Sequence, residues 1–189
     1  MIAKLVADQR RSRLRGYNQP VEFVLRDFRK EKFEALWRID QQCFAPGISY
    51  SRLELATYLQ RPGAFALVAD SPSGESSASK EMWKKGQSAA TIVGFIVAEL
   101  GSRGVGHIIT IDVLPQARGL GAGSLLLRAA EDRLRTASCR AVILETAVDN
   151  RSALSFYKQH QYTVIKTLPR YYSNGVDGLV LKKDLLSPS

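Results

Sequence analysis

The chain has 189 residues, of which 45% are hydrophobic, and its formal net charge is +9 with a pI near 9.8. This length and composition suffice for one domain with its own core, and no stretch comes near the roughly 18 continuous apolar residues that a membrane-spanning helix needs. Two cysteines and two histidines are too few for a disulfide framework or a zinc site, so we expect reduced thiols and no metal.

Much of the positive charge lies in an N-terminal arm, residues 1–20, which holds one lysine and four arginines against one aspartate. A basic arm predicts attraction to anions, such as a phosphorylated cofactor, acidic peptides or nucleic acid. The arm has neither interleaved aromatic residues nor a known nucleic-acid module, so nucleic acid is not expected as the main partner. The arm has no secretory signal pattern. We interpret it as a flexible tail of a cytoplasmic protein rather than as an organellar transit peptide.

Strand and helix patterns alternate through the first half of the chain. Enrichment in Val and Phe predicts strands, and apolar residues at helical spacing predict helices. A Ser-, Gly- and Lys-rich segment, residues 71–90, predicts a mobile loop inserted between two strands. The predicted elements are a strand at 21–28, a helix at 29–44, a helix at 52–60 capped by Ser51, and a strand at 64–70.

The second half continues this alternation. Strands are predicted at 91–100, 105–113, 141–146, 162–168 and 177–185. One helix follows the second of these strands, with Leu126, Ala130, Leu134 and Ala137 as its buried stripe, and another runs from a cap at Asp149 or Asn150 to His160. We find no repeat and no linker. The sequence therefore predicts one α/β domain, residues 21–186, with a mixed sheet.

Three glycines at alternate positions, Gly119, Gly121 and Gly123, stand where a helix is about to begin. A helix start has unpaired backbone amides and the positive end of the helix dipole, and glycines allow phosphate oxygens to approach. Arg118 adds a positive charge. A P-loop is excluded because Ser124 rather than lysine follows, and the G-x-G-x-G spacing is not that of a dinucleotide fingerprint. A pyrophosphate site is favoured over a tight turn without a ligand.

The segment 118–123, entered from a strand that ends at 113–115, resembles the R-x-x-G-x-G/A acetyl-CoA signature of the GNAT acetyltransferase superfamily. The segment 144–162 resembles the companion motif of that superfamily, and the likeness covers residues 21–185. It is closest to protein N-terminal acetyltransferases of the ribosomal-protein-alanine type. The resemblance implies a single-domain GNAT-like fold, with a mostly antiparallel sheet of about seven strands and flanking helices.

The resemblance also implies where acetyl-CoA would bind. The amides of the turn would hold the pyrophosphate, and the preceding strand would pair with the pantetheine arm. The thioester would lie where this strand and the strand at 141–146 splay apart. The implied cofactor-binding residues are Ile111, Val113, Arg118, Gly119, Leu120, Gly121, Ala122, Gly123 and Asn150, with no metal.

Three residues are candidates for catalysis. Glu145 is a carboxylate at the C-terminal end of a central strand and can act as a base, directly or through a water; the alternative is a structural pairing with Arg140 or Arg151. The resemblance makes the Tyr157 hydroxyl the acid for the leaving thiolate; the alternative is a core aromatic. His107 is either a substrate-site base or an ordinary strand-end histidine.

The resemblance points to two loops for the acceptor. Phe44, Pro46 and Ile48 would wall the first residue of a peptide, with helix packing as the alternative. Tyr171 and Tyr172 would bind peptide backbone through their hydroxyls, with strand-edge aromatics as the alternative.

The activity this implies is acetyl transfer from acetyl-CoA to a protein N-terminal amine, of a ribosomal protein among other candidates. The alternatives are acetylation of lysine side chains or a small amine, and a non-catalytic acyl-CoA-binding module. The superfamily usually has glycine where this chain has Gln161, and a left-handed residue there would cost about 1 kcal/mol. His160, at the helix end, is expected to be a favourable positive charge.

Overall fold

The protein is represented by a computed structural model, which describes residues 22–44, 48–71 and 91–186. The predicted basic arm and the predicted loop at 71–90, apart from Ser71, lie outside these residues, as does Pro46. Within the described part of the chain, no helix is long and apolar enough to cross a membrane.

Seven strands form one sheet, and four α-helices cover it within the described residues. All neighbouring strands are antiparallel except one central pair. The strands are β1 Val24–Asp27, β2 Ala64–Asp70, β3 Ile92–Leu100, β4 Val105–Val113, β5 Ala141–Ala147, β6 Thr163–Leu168 and β7 Gly178–Asp184, in the spatial order β1-β2-β3-β4-β5-β7-β6. The helices are α1 Phe33–Cys43, α2 Arg52–Gln60, α3 Ala122–Thr136 and α4 Arg151–Gln159. The predicted fold class is confirmed.

The core has two parts, one on each face of the sheet. On one face, α3 buries Leu126, Leu127 and Leu134 against residues such as Ile96 and Ile108. On the other face, α1 and α2 bury an apolar cluster against β2 and β3. Each fully buried leucine contributes about 1.5–3 kcal/mol relative to an exposed one, so both layers hold the sheet in place. The members of the second cluster include Leu36, Ile39, Leu55, Val68, Phe95 and Val97.

The parallel pair β4 and β5 is joined over a short distance. The register has three residue pairs, of which His107↔Ile143 is the last, although each strand continues beyond it. Beyond this pair the two strands separate toward their C-terminal ends. The predicted splaying of these strands is confirmed, and it places a gap in the middle of the sheet.

The outer strand β6 is irregular. Its pairing with β7 shifts register between Val164 and Lys166, and Ile165 has no partner in that register. Val164 and Ile165 are each more than half exposed, with relative exposures of 53% and 54%. The edge of the sheet therefore carries an interrupted ladder with a lysine in its centre.

Some boundaries differ from the prediction. The first strand begins at Val24 rather than residue 21, and a 3-10 turn at Lys30–Lys32 precedes α1, which begins at Phe33. The predicted stripe of α3 is buried at Leu126, Ala130 and Leu134 but not at Ala137, which is exposed. The helix ends at Thr136, because Ser138 adopts a left-handed φ of 66° and turns the chain.

At the end of α4, Gln161 adopts the left-handed conformation whose steric cost the sequence analysis considered. The amide of Tyr162 bonds to the Tyr157 carbonyl and that of Gln161 to the Lys158 carbonyl, which is the Schellman pattern. The Tyr157 and Tyr162 rings pack across it at 5.5 Å. This pattern requires a left-handed residue after the cap, and Gln161 has φ 68°. Glutamine is strained there where glycine is not.

Replacing Gln161 by glycine is expected to raise the free energy of unfolding by up to about 1 kcal/mol, because glycine adopts this conformation without steric cost. Urea denaturation followed by circular dichroism measures the change. Gln159→Gly is the matched control. Gln159 is the last residue of α4, where glycine is a poorer helix former, so the same replacement should lower the free energy of unfolding. Equal losses of stability in both variants would contradict the strain assigned to Gln161.

Candidate active site

Two ionisable side chains meet where β4 and β5 separate. His107 is the last β4 residue with a partner on β5, and Glu145 lies two residues beyond that partner, Ile143, on the same face of β5. Nε2 of His107 lies 2.6 Å from Oε2 of Glu145, and the two side chains are 26% and 20% exposed. Glu145 therefore pairs with His107, rather than with Arg140 or Arg151 as the alternative had it.

A second carboxylate approaches the other side of the His107 ring. Glu99 of β3 is the direct cross-strand partner of His107, and its Oε1 lies 3.4 Å from Nδ1. Nη1 of Arg61, just after α2, lies 3.4 and 3.5 Å from the two carboxylate oxygens of Glu99. The Arg61 guanidinium stacks 4.2 Å above the centroid of Tyr58. A row of alternating charge thus crosses three strands.

The two carboxylates set the charge of His107. Burial opposes the charged ring and alone would lower its pKa. The hydrogen bond and charge of Glu145, followed by those of Glu99, outweigh this, so the pKa of His107 is raised above 6.5. The imidazolium form is favoured because both ring nitrogens face an acceptor.

His160 behaves in the opposite way. Burial lowers its pKa below 6.5, and the positive charges of Arg128 and Lys183 act in the same direction, against that of Glu131. Its Nε2 lies 2.9 Å from the Ser124 hydroxyl. The predicted position at the end of α4 is confirmed, but the predicted positive charge is wrong, because a half-buried ring near two cations stays neutral at pH 7.

Tyr157 lies in the core beside the gap. Its ring packs edge-on against Phe156 at 5.3 Å and in a tilted arrangement against Tyr162 at 5.5 Å. Burial raises the pKa of its hydroxyl above 10, and the charges of Asp112 on β4 and Tyr172 in the β6–β7 loop add to this shift. The ring is therefore buried in the core, and the predicted role of its hydroxyl as an acid stays a prediction.

Two pairs of tyrosines lie around the site, and the members of one pair, Tyr171 and Tyr172, interact electrostatically with Glu145. Tyr50 and Tyr58 pack edge-on at 5.2 Å on the α1–α2 side, and Tyr171 and Tyr172 at 5.1 Å in the β6–β7 loop. Burial raises the pKa of Tyr172 to about 12, with contributions from Tyr171 and Glu145. Tyr171 remains half exposed. Hydroxyl groups and aromatic faces thus line both sides of the approach to Glu145.

Two carboxyl groups are buried on α1 and β4, and the one on α1 fixes the segment that leads to Tyr50. Asp40 of α1 is fully buried, and its Oδ2 accepts hydrogen bonds of 2.9 Å from the Tyr50 amide and the Gln41 side chain. Burial raises the pKa of Asp40 to about 6 and that of Asp112 to about 8. Each has one carboxylate oxygen without a hydrogen-bond partner in the described structure. Asp40 thus anchors the loop through a carboxyl group whose neutral form is favoured by burial.

The residues predicted to contact the first residue of the acceptor peptide belong to the same loop. Phe44 ends α1, with its amide bonded to the Asp40 carbonyl at 3.1 Å, and is half-buried. Ile48 is half-buried in the turn before Tyr50. Pro46 falls outside the described residues, so its predicted contact with the acceptor stays a prediction.

The glycine turn has an open backbone. Gly119 and Gly121 have positive φ values of 73° and 100°, and a Cβ at either would meet nothing within 4 Å. Gly123 has no positive φ, and a Cβ there would make ordinary contacts with Phe156 and Val113. The turn's own conformation therefore accounts for two of the three glycines, which corrects the inference that close approach of a ligand explains all three.

The start of α3 is suited to an anion. Gly121 is its N-cap residue, and among the described residues no side chain caps the helix and no acidic residue lies in its first turn. The amides of its first turn keep their positive partial charge. Arg118 is fixed beside it, with Nε 2.9 Å from the Val113 carbonyl. An open, uncapped helix start with a fixed guanidinium fits a diphosphate. The predicted amide donors here are those of Arg118, Gly119, Leu120, Gly121, Ala122 and Gly123.

The remaining predicted contacts lie around the gap. Ile111 lies on β4 beyond the last pair with β5, so the edge of β4 that faces the gap is unpaired there. The Val113 carbonyl accepts from Arg118 and from Sγ of Cys43 at 3.3 Å, and the predicted contact of Val113 with the pantetheine arm stays a prediction. Asn150 caps α4 by accepting from the Ala153 amide through its side-chain oxygen, which leaves the NH2 group of its side-chain amide to donate to a ligand.

Four residues of this site were missed from the sequence: Arg61, Glu99, Tyr50 and Tyr58. Glu99 and His107 lie on strands joined by a short connection, and an antiparallel register drawn across that connection brings them opposite each other. Tyr50 stands at the end of the loop predicted to wall the acceptor. No feature of the sequence separates Tyr58 from other helix-surface aromatics.

The family can now be assigned. The sequence model of the acetyltransferase (GNAT) family matches residues 33–162. The chain belongs to this family. This confirms the resemblance to GNAT acetyltransferases that the sequence indicated. It also confirms the enzyme class, because GNAT proteins are acetyl-CoA-dependent acyltransferases. Within the described residues, no group of three or more His, Cys, Asp and Glu side chains could hold a metal ion.

Two relatives of this GNAT chain align with it over only part of their length. An uncharacterized N-acetyltransferase of Methanocaldococcus jannaschii is 38% identical over 93 residues, 49% of this chain and 59% of that protein. N-alpha-acetyltransferase 30 of Schizosaccharomyces pombe is 36% identical over 72 residues, 38% of this chain and 48% of that protein. The alignments thus span about half the length of the curated relatives.

A solved structure shows the same fold. The NatC complex bound to Gag peptide and CoA has a chain that matches with a TM-score of 0.69 at 22% identity. The match covers 86% of this GNAT chain and 98% of that chain. At this identity the likeness establishes the fold.

The two histidines are expected to titrate on opposite sides of pH 6.5, His107 above it and His160 below it. Proton NMR of the imidazole C–H signals over pH 5–9 measures both. A His160→Gln variant assigns the signals, since the chain has two histidines. Overlapping titrations would contradict the charges assigned to the two sites.

Proposed function

We propose that this protein transfers an acetyl group from acetyl-CoA to the α-amino group of a protein N-terminus. The observation that carries the proposal is the His107–Glu145 pair at 2.6 Å, placed where β4 and β5 separate. A base is positioned there beside an open gap, and the glycine turn with its uncapped helix follows the same strand, β4, in the chain. The pair also argues against a non-catalytic acyl-CoA-binding module.

The binding end is the turn at 118–123. Its open amides and Arg118 would hold the diphosphate of CoA, and Ile111 on the unpaired edge of β4 would pair with the pantetheine arm. Asn150 would contact the same arm. This arrangement directs a bound thioester toward His107 and Glu145.

The chemistry needs a neutral amine and a stabilised leaving group. Acetyl-CoA supplies the acetyl thioester; the acceptor nitrogen forms the new amide bond as the carbon–sulfur bond breaks. The His107–Glu145 pair takes the proton that the amine loses, directly or through a water. The Tyr157 hydroxyl, kept protonated by its raised pKa, donates to the departing sulfur.

An α-amine is the favoured acceptor because its pKa, about 7.7–8.0, is far lower than that of lysine, about 10.4, and it loses its proton more readily at neutral pH. The tyrosines on both sides of Glu145 offer hydroxyl groups to a peptide backbone, with Phe44, Pro46 and Ile48 beside its first residue. Several relatives are named N-alpha-acetyltransferases, which supports the same choice. A ribosomal protein is one candidate acceptor, and a cytoplasmic location stays an expectation.

Glu145→Gln is expected to reduce acetyl transfer at least about 100-fold, since general-base catalysis contributes roughly 10²–10⁴-fold. His107→Gln and Tyr157→Phe should also reduce it, all with little change in CoA affinity. Mass spectrometry of synthetic N-terminal peptides, lysine peptides with blocked N-termini, and small amines measures transfer and the choice of acceptor. Unchanged turnover in Glu145→Gln and Tyr157→Phe would refute the catalytic roles; preference for lysine or small amines would refute the acceptor.

Gly121→Ala is expected to weaken CoA binding about tenfold, because a left-handed alanine costs roughly 1–2 kcal/mol and its Cβ enters the open space of the turn. Gly123→Ala is the control, since its conformation is ordinary and its Cβ makes ordinary contacts. Isothermal titration calorimetry with CoA compares the two. If both variants bound CoA as tightly as the unchanged protein, the diphosphate would have to lie away from this turn.

A further inference from the structure

A row of four charged groups crosses the acceptor side of the sheet: Arg61, Glu99, His107 and Glu145. Glu99 and His107 are direct neighbours across β3 and β4, and Glu145 follows on β5. Arg61 lies 3.4–3.5 Å from the carboxylate oxygens of Glu99, and Glu99 lies 3.4 Å from Nδ1 of His107. Nε2 of His107 lies 2.6 Å from Glu145. The row therefore joins the end of α2 to the proposed base.

The two contacts of the His107 ring have unequal consequences. The short bond to Glu145 assigns a proton to Nε2 in either charge state of the ring. Nδ1 then faces the Glu99 carboxylate at 3.4 Å. An unprotonated Nδ1 would direct its lone pair at a negative group, whereas a protonated Nδ1 donates to it. Glu99 therefore favours the imidazolium.

Arg61 opposes this effect. It is held by stacking on Tyr58 and by its backbone, whose amide bonds to the Tyr58 carbonyl at 3.3 Å. Its guanidinium contacts both oxygens of Glu99 and so withdraws part of the negative charge from His107. The other groups that face this pair are Tyr171 and Tyr172, whose hydroxyls interact with Glu145.

We propose that Glu99 and Arg61 are positioning residues that act on His107 in opposite directions, and so set the pH below which the His107–Glu145 pair can no longer accept a proton from the acceptor. The proposal rests on the proposed function for its catalytic meaning. Its electrostatic content is independent of any activity, because it concerns the charge of one ring in the folded protein.

The test measures His107 directly and then the reaction. Glu99→Gln should move the NMR titration of His107 to lower pH, and Arg61→Gln should move it to higher pH. The acidic limb of kcat/KM should move with it, so that the ratio of kcat/KM at pH 6 to that at pH 8.5 rises about threefold or more in the first variant and falls in the second. In the double variant Arg61 should lose most of its effect, because it acts through Glu99.

The matched controls are Glu34→Gln and Arg52→Gln, which break a surface ion pair between α1 and α2 that has no contact with His107. Neither should move its titration. A Glu99→Gln variant with an unmoved His107 titration, or shifts of the same sign in both variants, would overturn the proposal. Opposite NMR shifts in a protein that acetylates no peptide would support the proposal for His107 and refute the proposed function instead.

Discussion

The early separation of β4 and β5 is the constraint on which the rest of the site depends. Parallel neighbours in a sheet normally continue to bond along their shared length, but here the pairing ends at His107↔Ile143. The side chains just beyond that point lose a strand neighbour and gain access to the space between the strands. Glu145 can therefore reach across to His107, and the edge of β4 that leads to the glycine turn remains available for another partner.

The groups at the opening of this gap are favoured in their charged forms, and the groups buried below it are favoured in their neutral forms. At its mouth, His107 lies between two carboxylates and is favoured as a cation, while Arg61 balances the outer one. Deeper in the structure, burial favours the neutral forms of Asp40, Asp112 and Tyr157. An entering amine would thus meet a favoured cation and two carboxylates at the mouth, whereas burial shifts the interior groups toward their neutral forms.

Most elements were predictable because their patterns are strong. Strands at 64–70 and 105–113 and the cap at Ser51 agree with the structure, and Asn150 is the cap of α4. What could not be predicted depends on contacts between distant segments. His160 is neutral because of burial and two cations from other elements, whereas the pairing of Glu99 with His107 could have been found from the register across the short β3–β4 connection. Ala137 was misplaced because a helical period does not reveal where Ser138 turns the chain.

The irregular outer strand β6 has a consequence for solubility. An unpaired strand edge with exposed Val164 and Ile165 would otherwise be a template for strands of neighbouring molecules. The register shift at Ile165 breaks the regular repeat of donors and acceptors, and the charge of Lys166 would repel an identical strand aligned beside it. Within the described residues, this outermost strand is therefore a poor template for a strand of another molecule.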